Sequence, residues 1–109
     1  MPIIYHLIPR ADWESRPPGP YRAASLDTEG FIHCSRREQV ERIANLFYSA
    51  VPELLVLEVD AGILGTSWRD EDVQGESFPH VYGPIPEAAV LAVLPLSRGP
   101  DGAWRLRND

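Results

Sequence analysis

The chain has 109 residues, is 44% hydrophobic and carries a formal net charge of −6. That length and apolar share suit a single domain over residues 1–109 with a real core, and exclude an intrinsically disordered chain. The acidic balance excludes the cationic face that sequence-independent binding of nucleic acid requires.

In chain order, Ile3 to Ile8 is a short apolar run ended by Pro9 and reads as the first strand. Tyr5 and His6 then point to opposite faces. Pro9 to Ser15 reads as a short helix anchored by a buried Trp13, and the proline-rich stretch from Arg16 to Pro20 as a loop. Tyr21 to Leu26 reads as extended, and Asp27-Thr28-Glu29-Gly30 as a turn with Gly30 where φ is positive. Phe31 to Cys34 is a short strand. Ser35-Arg36-Arg37-Glu38 fits a capping box with Ser35 as the N-cap. Val40, Ile43, Ala44, Phe47 and Val51 follow at helical spacing, so an amphipathic helix is expected over about 36–50, stopped by Pro52.

Leu54 to Val59 reads as a central strand, Asp60 to Leu64 as a helical turn, and the acidic stretch Thr66 to Ser77 as irregular. Phe78 to Gly83 is expected to be extended and Ala88 to Leu96 another strand. A turn over Arg98 to Gly102, an edge strand over Ala103 to Leu106 and a polar tail complete the chain. One main helix that does not alternate with strands argues α+β rather than a doubly wound sheet.

The lone cysteine, Cys34, permits no intrachain disulfide. The start lacks a basic segment followed by an apolar run, and no stretch of about 20 apolar residues occurs, so the expectation is a cytoplasmic protein without membrane contact. No H-x-x-x-H, C-x-x-C or H-E-x-x-H spacing points to a metal, and no glycine-rich phosphate loop is present. Cys34 as a nucleophile would need a base, and its neighbour His33 belongs to the other face of the strand.

Three groups of residues are suited to chemistry. His33 lies just before a helix start, where free N–H groups attract anions, and an imidazole there suits a ribose hydroxyl, carbonyl or phosphate; the bland alternative is a half-buried histidine bonded to a carbonyl. Ser35 is explained by capping, with ligand contact as a second use. Phe78, His80 and Tyr82 share one face if extended, either as a stiff wall with polar tips or as core packing. Glu71 or Glu76 is either a base near His80 or part of a solvated loop.

Two stretches, Gly30-Phe31-Ile32-His33-Cys34-Ser35 with Gln39 and Phe78-Pro79-His80-Val81-Tyr82-Gly83-Pro84, join Ile4-Tyr5-His6, Trp13 and Asp60 in a recognisable pattern. The chain is similar over about residues 3–96 to the DUF952 family of small bacterial proteins. That resemblance implies an ADP-ribosyltransferase-like fold: split β-sheets enclosing an NAD-binding cleft, with one main helix after the His33 strand. His33-Cys34-Ser35 matches that superfamily's H-x-S pattern. The resemblance therefore implies NAD or a related nucleotide as substrate rather than as a resident cofactor, and action at its N-glycosidic bond. It gives His33 a ribose hydroxyl, Tyr82 or Tyr5 a ring to stack on, and Glu71, with Glu76 as alternative, the ribosyl cation or nucleophile. His80 becomes a second hydrogen-bonding group or acid/base, Ser35 a substrate contact, and Arg36 and Arg37 at the helix start the partners of the pyrophosphate. Two other functions fit the same residues: a non-catalytic domain binding a small metabolite or peptide, and a nucleotide hydrolase using His33 and His80. No oligomeric state follows from the sequence.

Overall fold

A computed structural model describes residues 2–106. Strand β1 (Ile3–Pro9) runs into helix α1 (Arg10–Glu14); helix α2 (Ala24–Thr28) precedes the two-residue strand β2 (Ile32–His33) and the main helix α3 (Arg37–Phe47). Strand β3 (Leu54–Asp60) and a 3-10 turn (Ala61–Ile63) lead to the hairpin of β4 (Trp68–Val73) and β5 (Glu76–Val81). A second 3-10 turn (Glu87–Ala89) opens strand β6 (Val90–Pro95), and β7 (Ser97–Arg98) pairs with β8 (Trp104–Arg105). The chain is α+β, with two three-stranded antiparallel sheets ordered β1-β3-β6 and β2-β5-β4. Among the described residues no helix is long and apolar enough to cross a membrane.

β3 is the central strand of the first sheet because both its faces are apolar. Leu55, Leu57 and Val59 face one way with Ile4 and Ile8 of β1, and pack on Ile32 and Val81 of the second sheet. Leu54 and Val56 face the other way with Tyr5 and Leu7, beneath Val40 and Ala44 of α3 and Trp104 of β8. Tyr5 and His6 do lie on opposite faces, Tyr5 under α3 and His6 toward the second sheet. The two sheets are joined where Ser35 and Tyr5 exchange backbone hydrogen bonds, Ser35 N–H to Tyr5 O at 2.7 Å and Tyr5 N–H to Ser35 O at 2.9 Å.

That bridge corrects the capping assignment. Ser35 is committed to Tyr5, so the helix starts one residue later with Arg36 as N-cap, and Gln39 rather than Glu38 reaches back: its Oε1 accepts from the Arg36 N–H at 2.8 Å. The helix also ends at Phe47, short of residue 50, with Tyr48 as its C-cap. Tyr21 to Leu26 is not extended. Only Tyr21 pairs, with Ile85, and residues from Ala24 onward turn into α2, which docks Leu26 on the core.

The largest correction concerns residues 66–77. They are not irregular: Trp68–Val73 is a strand, closed to β5 by a two-residue turn in which Gln74 (φ 52°) and Gly75 (φ 88°) both have positive φ. Its mostly half-exposed or exposed side chains give no apolar alternation, which is the signal a strand ordinarily leaves in sequence. Trp13 is partly rather than fully buried; it leans on the core and carries the Arg16 guanidinium over its ring at 3.5 Å. Gly30 has the expected positive φ, 89°, but Asp27 and Thr28, expected in the turn, belong to α2. The polar tail expected after Leu106 lies outside the described residues.

Candidate functional site

β2 is only two residues long, yet its register sets the site. Ile32 pairs with Val81 and His33 with His80, so Ile32 and Val81 turn to the core while His33 and His80 turn together to the other face. β5 adds Phe78 to that face, and α3 stands opposite with Ile43 and Phe47. Between them is a cleft of about 610 Å³, to which Leu7 of β1 and Val73 at the hairpin tip also contribute.

The two histidine rings lie 5.8 Å apart, nearly edge to face. The His80 ring stacks flat on Phe31, centroids 3.9 Å apart and planes 6° from parallel. Burial, helped by the neighbouring His33, lowers the pKa of His80 below the ordinary imidazole value, so its ring is neutral near pH 7. The His33 side chain is 56% exposed, and its Nε2 donates to the Glu29 carboxylate at 3.1 Å. Gly30, with its positive φ, folds the chain back so that Glu29 can meet His33 four residues on.

His33 is also held from behind. Its carbonyl accepts the Nδ1–H of His6 at 2.7 Å, and the His6 Nε2 accepts the Tyr21 hydroxyl at 3.0 Å. Burial pushes His6 down to about 4, so this ring is neutral and its tautomer is fixed by the carbonyl. Cys34 lines the cleft but is buried, and its thiol is pushed up to about 12, which leaves it inert as a nucleophile near neutrality.

Beside the cleft, on the same face of the second sheet, sits a second polar group. The Tyr82 hydroxyl donates to Glu71 Oε2 at 2.5 Å, Arg69 Nε lies 3.2 Å from the same oxygen, and the Arg69 guanidinium covers the Tyr82 ring at 4.8 Å. The Tyr82 hydrogen bond, with help from Arg69, holds the Glu71 carboxyl below the usual carboxylate range. Phe31 connects the groups, its ring 6.0 Å from that of Tyr82.

The structure thus brings His33, His80 and Ser35 to one cleft and puts Tyr82 and Glu71 together at its side. It separates the others. Tyr5 is buried beneath α3 and does not line the cleft. Arg36 is ion-paired to Asp70 at 2.6 Å and lies 5.4 Å from the Trp68 ring, away from the cleft lining. The Arg37 guanidinium lies 5.9 Å from the Tyr5 ring. Glu76 is tied to α3 by Arg42 and by Gln39 Nε2 at 2.9 Å, so it fastens the hairpin to the helix. Among the described residues no group of three His, Cys, Asp or Glu side chains converges as metal ligands.

Two contributors escape a reading of the sequence. Phe31 passes for a strand anchor, and only the sheet register shows that it covers His80. Glu29 passes for a turn residue; its signal is the i, i+4 spacing to His33 across a glycine.

Three comparisons bear on the chain. The family described as "Protein of unknown function (DUF952)" matches residues 7–93. The crystal structure of protein CC0527 from Caulobacter crescentus is similar at 29% identity and a TM-score of 0.82, covering 95% of this chain and 94% of that one. The solution NMR structure of CC0527 is similar at 30% identity and a TM-score of 0.77, covering 94% and 91%. No curated protein matches the chain.

Proposed function

This chain belongs to the DUF952 family, and we propose that its cleft binds NAD or a related nucleotide in the manner of an ADP-ribosyltransferase-like protein and is the place of chemistry at the N-glycosidic bond. The observation that carries the reading is the His33–His80 pair: two imidazoles brought side by side by a two-residue ladder, one exposed and carboxylate-bound, the other neutral and stacked on Phe31. The nitrogens of such rings can donate to or accept from a sugar hydroxyl. Two further features support it. Two small antiparallel sheets lie against one another, as in a split-sheet fold. The cleft, about 610 Å³, is of the size that takes a nucleoside-sized ligand.

In this reading His33 hydrogen-bonds a ribose hydroxyl and His80 with Phe31 forms the wall for a ring. The C1′–N bond breaks with its electron pair leaving on the nicotinamide nitrogen. Water or an acceptor hydroxyl adds to C1′ and gives its proton to the His33 imidazole. Glu71, held ionised by Tyr82 and Arg69, is the carboxylate assigned to the ribosyl cation. Transfer and hydrolysis differ only in the acceptor.

The test is thermal melting with NAD and with ADP-ribose, together with NMR of the His33 and His80 imidazoles. Binding raises the melting temperature and moves both sets of signals; a flat melting curve with unmoved imidazoles for both ligands ends the reading. Nicotinamide release from NAD follows the chemistry, and Glu71→Gln is expected to slow it by about tenfold or more. A second reading, ligand capture without turnover, is favoured by the apolar half of the cleft, Ile43, Phe47, Val73 and Phe78. It predicts binding with no release of nicotinamide at any enzyme concentration.

A further inference from the structure

A cleft that received the diphosphate of a dinucleotide would need cations to meet it. This one has no arginine or lysine among its described lining residues, only the imidazoles of His33 and His80. Three arginines on the surrounding elements are taken by carboxylates, Arg36 by Asp70, Arg42 by Glu76 and Arg69 by Glu71, and Arg37 lies by the Tyr5 ring and does not line the cleft. The carboxylate that does line the cleft is Glu29, half exposed beside His33. The chain as a whole carries −6, so the wider field also repels anions. The remaining walls are aromatic, Phe78 and the Phe31 ring with His80 stacked on one of its faces, with aliphatic Leu7 and Ile43.

Aromatic faces with a carboxylate at the rim attract a flat, positively charged ring. His33 at the same rim suits an uncharged sugar hydroxyl. Resting on the reading of the cleft given above, we infer that the part of the ligand it holds is a cationic heteroaromatic N-riboside, and that phosphate stays outside. Among such ligands the riboside without phosphate then binds more tightly than its phosphorylated forms, the dinucleotide included. Each phosphate added to the ribose 5′ position places negative charge near Glu29 with no arginine to answer it.

The experiment compares three probes on the full chain at low ionic strength, where surface charge is least screened. They are nicotinamide riboside, nicotinamide mononucleotide and ADP-ribose, followed by calorimetry and by the imidazole signals of His33 and His80. Nicotinamide riboside is expected to bind at least about tenfold more tightly than either phosphorylated probe, a margin of one decade in dissociation constant. Glu29→Gln is expected to weaken nicotinamide riboside severalfold more than it weakens inosine, an uncharged riboside that shares only the His33 contact; Glu29 is half exposed, and the variant's melting temperature checks that it folds. Equal or tighter binding of ADP-ribose or the mononucleotide overturns the inference and leaves the nucleotide reading standing. Silence from all three overturns both. A riboside affinity unchanged by Glu29→Gln removes the role given to that carboxylate.

Discussion

At the scale of single residues, the candidate site depends on a histidine that does not line its cleft. His6 is 7% exposed, lies between the sheets, and holds the His33 carbonyl and the Tyr21 hydroxyl at once. Its pKa falls from an ordinary 6.5 to about 4 because burial disfavours the imidazolium. The sign follows from linkage. Between those two values the unfolded chain binds a proton that the folded chain refuses, so stability is intact above pH 6.5 and is lost as pH falls toward 4. The loss from this one group is about 3 kcal/mol over that window. We predict that His6→Gln flattens the pH dependence: urea unfolding at pH 7 and pH 4 should show a smaller drop in the variant by about that amount. An equal drop in both proteins would assign the acid sensitivity to other groups. Comparing variant with wild type cancels the carboxylates that titrate in the same range. The same residue also ties stability to the geometry of the cleft, because releasing the His33 carbonyl frees the strand that aims the His33 ring.

At the scale of elements, the β4–β5 hairpin determines whether the cleft exists. It carries Phe78 and His80 to the cleft and Glu71 to its side, and it is fastened to α3 through Gln39, whose Nε2 donates to Glu76 and to the Ser77 carbonyl, both at 2.9 Å. Its turn is the weak point. Gln74 and Gly75 both adopt positive φ, the geometry whose twist matches that of the flanking strands. A Cβ at Gly75 meets nothing within 4 Å, so the cost of a side chain there is backbone strain alone. Gly75→Ala is expected to destabilise by about 1 kcal/mol, with the midpoint of denaturant unfolding as the readout. No change in that midpoint would mean that the turn relaxes to another type. The hairpin is also the element least visible in sequence: with four acidic residues in Asp70, Glu71, Asp72 and Glu76, its residues resemble a solvated loop, and the pairing partner that makes them a strand is β5.

For the whole molecule, the first sheet is the scaffold and the second is the bearer of the site. Leu57 of the central strand is fully buried between layers, facing the second sheet. Leu91 lies on edge strand β6 and is 45% exposed. Leu57→Ala is expected to cost about 2–5 kcal/mol, through lost burial and the cavity left behind. Leu91→Ala should stay within about 0.5 kcal/mol. Chemical denaturation of both variants checks the layering, since similar costs would mean that β6 is covered in solution. Because the core joins the two sheets, the Leu57 variant is also expected to loosen the imidazole pair, seen as broadened His33 and His80 signals, whereas Leu91→Ala leaves them sharp.

The sequence by itself determined the elements whose signal is local. The apolar runs of β1 and β3, the helical spacing through Val40, Ala44 and Phe47, and the glycine turn at Gly30 were all legible, because each buries a face or needs a backbone angle that its own residues reveal. So were the two motifs around His33 and His80 and the family they belong to. Only the tertiary structure decided which of those residues meet. Ser35 caps no helix because Tyr5, thirty residues earlier, takes its backbone. Tyr5 is packed under α3, Arg36 is bound to Asp70, and Phe31 and Glu29 join the histidines. Those outcomes depend on strand register and on partners far apart in the chain, and register is a property of two segments at once, which neither segment carries alone.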